Sequence, residues 1–198
     1  MVLTDKDYCD SYDLFCDNTI ATVKQTNKAL KDVVGAEYEA HRKRIYEKAG
    51  FRVENEIHDD RLAAFNADWY VYDSAGKLVI IEECKGHYVD SCFAERAVFG
   101  FAKTAQRFLD LGLDCPYFVL SSTTKYRLFN DKFEESLGVL RADIATTLRA
   151  KVKYFSVVAN DRFGYKKWLP RTLRPLQREQ HPSTWRKPEI DFLLEMRG

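Results

Sequence analysis

Asp68, Glu83 and Lys85 are the residues whose types and spacing best suit a chemical role. They lie in the run Asp68–Asp73, a Ser-Ala-Gly-Lys turn, and the run Leu78–Lys85. This reads as two strands joined by a tight turn, with Gly76 supplying the permissive backbone. The second strand is apolar enough to lie centrally in a sheet, yet it ends in Glu-Glu-Cys-Lys. Side chains alternate across a strand, so Glu83 and Lys85 share one face while Glu82 and Cys84 share the other. Asp68, opening the preceding strand, can lie beside the Glu83–Lys85 pair. Two carboxylates and an ammonium at the rim of an apolar sheet are costly to bury, and a divalent cation would offset that cost. Mg²⁺ (or Mn²⁺) takes oxygen ligands and keeps several waters, so Asp68 and Glu83, with the backbone carbonyl of Cys84, form a sufficient set. Such an ion acidifies a bound water and stabilises charge on a phosphate oxygen, while Lys85 orients the water or the phosphate. Phosphodiester hydrolysis is the chemistry that fits.

The surrounding elements must place these groups. Residues 19–34 carry Ile20, Val23, Leu30 and Val33 at helical spacing, with Gly35 as the stop. A second helix is expected over 37–49, with Tyr38, Ile45 and Ala49 on one stripe and Arg42-Lys43-Arg44 largely off it, ending at Gly50. Phe51–Ile57 alternates as a first strand before the polar loop His58–Arg61 and the hairpin. A long helix over 92–110 places Val98, Phe101, Ala105, Phe108 and Leu109 at 3/4 spacing, with Gly112 closing it. Cys115–Leu120 reads as a buried strand, 132–149 as one helix capped by Asn130 or Asp131, and Val152–Val158 as a last strand. The order predicts an α/β fold, a mixed central sheet flanked by helices.

At 198 residues the chain suits one compact domain. With 45% hydrophobic and 31% charged residues and a net charge of +1, nothing in its overall balance marks it for nucleic acid, so any basic surface must be local. No run is long enough to cross a bilayer, and the Asp-rich start lacks the basic and apolar regions of a signal peptide. Five scattered cysteines without a Cys-x-x-Cys pair argue against a disulfide framework or thiolate zinc site. A reducing, cytoplasmic setting without membrane or organic cofactor is expected. From Arg162 to Lys187 there are eight Lys or Arg residues and one acid, Glu179, interleaved with Phe163, Tyr165, Trp168 and Trp185. Basic side chains can neutralise phosphates and aromatic faces can stack on nucleic acid.

Asp68 followed after 14 residues by Glu83-Cys84-Lys85 resembles the PD-(D/E)xK nuclease superfamily, in which an acid opens one strand and Glu-x-Lys ends the next. The family core of helix, three-stranded meander, helix and strand is similar to residues 35–121 in order and size. Residues 1–34 would then be a helical lead-in, and 122–198 a helix, a strand and a basic extension within the same domain. The family often carries a glutamate on its first core helix that reaches the metal site. The resemblance implies Glu39 for that role, with Glu37 second. Ala67, not proline, precedes Asp68 here. Asp59, Asp60 and Glu82 lie close enough in sequence to substitute as ligands, although Glu82 faces the wrong side of its strand. His41, His58, His87 and His181 have no metal-ligand spacing, Cys84 has no partner pattern for a nucleophile, and Gln106 is a possible site or substrate contact.

A one-domain chain with a C-terminal extension most resembles a type II restriction endonuclease. That implies double-stranded DNA as substrate and a homodimer to cut both strands of a symmetric site. Arg162, Lys166, Lys167, Arg171 and Arg174 are then candidates for reading base edges. A junction-resolving, repair or transposition-associated nuclease of the same fold is the alternative. A non-catalytic DNA-binding protein belongs to a different class.

Overall fold

The computed structural model describes residues 3–4, 6–8, 10–11, 14–15, 18, 30–57, 59, 61–62, 66–86, 91–122, 129–156 and 182–197. After helical residues between Lys6 and Asn18, the elements run α1 (Leu30–Ala49), β1 (Arg52–Glu54), β2 (Trp69–Tyr72), β3 (Leu78–Lys85) and α2 (Ser91–Asp110). They continue with β4 (Tyr117–Ser122), α3 (Phe129–Leu137), α4 (Ala142–Lys151), β5 (Val152–Ser156) and α5 (Pro182–Met196). The strands form one five-stranded sheet in the order β1-β2-β3-β4-β5. β1, β2 and β3 pair antiparallel as a meander, whereas β3–β4 and β4–β5 pair parallel. Parallel neighbours need crossovers. These are α2 and, on the far side of β4, α3 with α4. The expected α/β class, a mixed sheet flanked by helices, is the observed architecture.

β3 is the middle strand and both its faces are covered, which is why its sequence reads as a continuous apolar run. Val71, Ile80, Cys84 and Val119 pack on the α1 side with Tyr38, Ile45 and Tyr46. Tyr70, Ile81, Phe118 and Leu120 pack on the other side with Phe101 and Ala105 of α2 and Leu148 of α4. The hairpin register pairs Trp69 with Glu82 and Tyr70 with Ile81, and Gly76 takes φ 79° in the turn. No helix among the described residues is long and apolar enough to cross a membrane.

Four expectations change. Gly35 does not end a helix: α1 runs through it from Leu30 to Ala49. A Cβ added at Gly35 would meet no atom within 4 Å, so a glycine is tolerated there and not demanded. The stop is at Gly50, with φ 95°, where Phe51 N–H bonds the Tyr46 carbonyl and Gly50 N–H bonds that of Glu47, both at 3.0 Å. Residues 19–29 lie outside the described ones. The first strand is confined to Arg52–Glu54, which pairs with Tyr70–Tyr72 only where the short β2 offers a ladder.

The helix expected over 132–149 is two. Gly138 N–H bonds the carbonyls of Glu134 and Glu135, Leu140 N–H bonds that of Leu137, and Arg141 is extended with ψ 143° before α4 starts. Leu137, Ile144 and Leu148 are nevertheless all buried in one core, so an apolar stripe can continue across a break. Because α3 begins at Phe129, Asn130 and Asp131 lie within its first turn and do not precede it as caps. In addition, the basic extension carries a helix, α5, that its sequence did not single out. α5 buries Glu189, Ile190, Phe192 and Leu193 against the α1 side of the sheet. Arg162, Lys166, Lys167, Arg171 and Arg174 lie outside the described residues.

Candidate active site

The end of β3 projects beyond the start of β2, and the candidate residues gather at that step. Asp68 N–H bonds the Glu82 carbonyl at 3.0 Å, the last backbone link among the described residues from this end of β2 to β3. One residue pair further, the Asp68 side chain replaces the missing strand: its Oδ2 accepts the Cys84 N–H at 2.6 Å. A residue's N–H and C=O leave a strand on the same side. The Cys84 carbonyl therefore emerges toward Asp68, where β2 has run out.

Alternation along β3 turns Glu83 and Lys85 to the α2 face, and Lys85 Nζ pairs with Glu83 Oε1 at 3.0 Å. The ammonium also lies 4.2 Å from the ring centroid of Phe93 in the first turn of α2, a cation–π contact. Lys85 is thereby held from two sides by short contacts. Glu39 approaches from α1. Its carbonyl accepts the Trp69 indole N–H at 3.1 Å, docking that turn of the helix on the first residue of β2. Its half-buried carboxyl is raised in pKa by burial and by the Asp68 charge, against the pull of Lys85. Glu37 instead lies in the field of Arg44. Of the two glutamates, Glu39 is the one the helix brings to Asp68.

Burial likewise raises the Asp68 carboxyl, opposed by the Cys84 N–H and Lys85. Glu83, 8% exposed, is pushed up to about 7 by burial and by Asp68, with a smaller push from Glu39, despite Lys85. Three carboxyls thus disfavour one another's ionisation around a single ammonium, a surplus of negative charge that a cation relieves. Among the described residues no three His, Cys, Asp or Glu side chains converge closely enough to hold a metal by themselves. The available donors are all oxygen: Asp68, Glu83 and the Cys84 carbonyl. That set suits a hard ion that keeps most of its water, such as Mg²⁺ or Mn²⁺.

Neighbouring candidates fall elsewhere. Glu82 is fully buried on the opposite face, its Oε1 held by Arg42 Nε at 2.6 Å. Asp59 bonds Arg61 in the loop before β2, and Asp60, His58, His87 and His181 lie outside the described residues. His41 is buried, with Ser11 Oγ 3.0 Å from its Nδ1. Burial drives the Cys84 thiol well above its usual pKa, so the side chain is no nucleophile. The Gln106 amide donates to Asp110 one turn along α2.

Arg42 escaped the sequence reading because a charged Arg-Lys-Arg run looks solvated. Yet it stands four residues from both Tyr38 and Tyr46, on the buried stripe, and is itself fully buried. Phe93 escaped because nothing local separates it from the apolar positions of α2. Tyr70 also belongs to the site's wall: its hydroxyl accepts the Ala67 N–H at 3.4 Å and lies in the fields of Glu83 and Asp68. Two residues after Asp68, it shares that residue's face by simple alternation. No known protein family, no curated protein and no solved structure matches this chain.

Proposed function

We propose that this protein is a metal-dependent DNA endonuclease of the PD-(D/E)xK type, with a restriction-endonuclease-like core over residues 35–121. The observation that carries the reading is the meeting of Asp68, just before β2, with Glu83 and Lys85 of β3 and Glu39 of α1, at the step where β3 runs past the start of β2. The order α1, antiparallel meander, α2, β4 supports the finer fold assignment. Asp68, Glu83 and the Cys84 carbonyl would hold Mg²⁺ or Mn²⁺, which when bound supplies an acidified water and neutralises phosphate charge. Lys85, fixed between Glu83 and Phe93, presents a positive charge to a phosphate oxygen in a half-buried setting, where that charge is least screened. Glu39 contributes a third carboxyl at the rim from a separate helix. The Asp68–Cys84 bond ties the start of β2 to the end of β3, and the Tyr70 hydroxyl accepts the Ala67 N–H just before it.

Within this class we read the chain as a type II restriction enzyme acting as a homodimer on duplex DNA, since two symmetric cuts require two sites. A cytoplasmic setting accords with Cys84 and Cys115, which are free and buried. The test is digestion of a long defined duplex with Mg²⁺, followed by sequencing of the ends. Discrete ends at one short sequence are expected. Ends only at branched or damaged structures would reassign the enzyme to a resolving or repair role, and intact DNA would contradict the enzymatic reading.

A further inference from the structure

Away from the candidate site, α2 carries a line of cations that pair with no acid among the described residues. Arg96, Lys103 and Arg107 are exposed, and none of the three forms an ion pair among the described residues. At 3.6 residues per turn they fall within about 40° of arc and span about 16 Å of helix. The exposed cations of α3, α4 and their junction behave differently. Lys132 pairs with Glu135, Arg141 with Asp143, and Arg149 with Glu134. The acids bordering the line on α2 are Glu95 and Asp110, and Asp110 takes the Gln106 amide and faces Arg141. Phe99 flanks the cations at 36% exposure. The line starts at the candidate site: Phe93, against Lys85, is one turn before Arg96.

Three like charges held in line on a rigid helix repel one another, and a polyanion lying along them removes that cost. Phosphates on one strand of duplex DNA recur every 3.4 Å of axis, so about 16 Å passes roughly five of them. We propose that the Arg96–Lys103–Arg107 face of α2 binds the sugar–phosphate backbone of the duplex that leads into the site, with Phe99 against the sugars. The direction along the helix rests on the phosphodiesterase reading; the line of like charges stands without it.

The test uses the full chain and a 30-bp duplex of arbitrary sequence, with EDTA to prevent hydrolysis, and follows Kd against NaCl. Replacing all three (Arg96→Gln, Lys103→Gln, Arg107→Gln) removes up to three phosphate contacts. It should flatten the log–log salt slope by about 2 to 3, with an unchanged melting temperature. A control triple of the paired cations (Lys132→Gln, Arg141→Gln, Arg149→Gln) loses the same net charge and should leave the slope as it is. An unchanged slope in the first variant, equal flattening in both, or wild-type binding to phosphatidylserine vesicles in place of duplex would overturn the proposal. Wild-type cleavage measured alongside separates the two readings. A cleaving protein with an unaltered slope loses only this face, and a flattened slope without cleavage loses only the enzyme.

Discussion

Burial acts on Glu83 before any ion is considered. Its folded pKa rises from 4.5 to about 7, so the protonated form is the one the fold prefers. Its contribution to stability is fully present below the unfolded value and is lost as pH rises through 7. The shift corresponds to a few kcal/mol at alkaline pH. His41 has the opposite dependence: burial and the nearby Arg42 and Arg44 depress its pKa, so its contribution falls as pH drops below about 6.5. The two are separated by comparing wild type with Glu83→Gln. Metal-free wild type should melt lower at pH 8 than at pH 6.5, the variant should not, and Mn²⁺ should raise only the wild-type melting temperature at pH 8. The same loss at pH 8 in both proteins would show that Glu83 is not the origin. At this scale the Glu-x-Lys pattern was legible because alternation fixes which side chains share a face. The Asp68–Cys84 bond was not, because it depends on where β2 starts.

Elements meet around Arg42 on the reverse face of β3. Its Nε holds Glu82, its Nη1 makes an ion pair with Glu189 of α5, and Glu189 Oε2 accepts the Tyr8 hydroxyl at 2.5 Å. α1, β3 and α5 thus share one buried guanidinium on the face of β3 opposite Glu83, and the N-terminal Tyr8 joins them through Glu189. Removing a single member of a buried ionic group leaves the others uncompensated. Arg42→Met should therefore cost about 3–5 kcal/mol in urea denaturation. Adding Glu82→Gln and Glu189→Gln to that variant should recover much of the loss, and an Arg42→Met protein as stable as wild type would deny the network any structural weight. None of this could be read along the chain, since Arg42 and Glu189 are far apart in sequence and each resembles a surface charge. The hairpin and α2 were readable because their periodicity and glycine stops are local. Gly35 and the stripe over 132–149 misled for the complementary reason: neither propensity nor an apolar stripe says whether the neighbouring turns continue.

For the molecule as a whole, one end of the sheet gathers the carboxyls and Lys85, and α2 carries away from them a line of cations without ion pairs among the described residues. In the function we propose, a duplex lying on α2 brings a phosphate to Lys85 and a second protomer makes the second cut. The central claim is that Asp68 and Lys85 are chemical, not merely structural. It is tested most directly by following supercoiled plasmid with Mg²⁺ and wild type, Asp68→Asn or Lys85→Met. Asn keeps an acceptor for the Cys84 N–H and Met keeps the length of the lysine stem, so both variants should retain the wild-type melting temperature. Each should cleave slower by about 10²-fold or more. Wild-type rates in either variant, or a plasmid left intact by the wild type itself, would contradict the account.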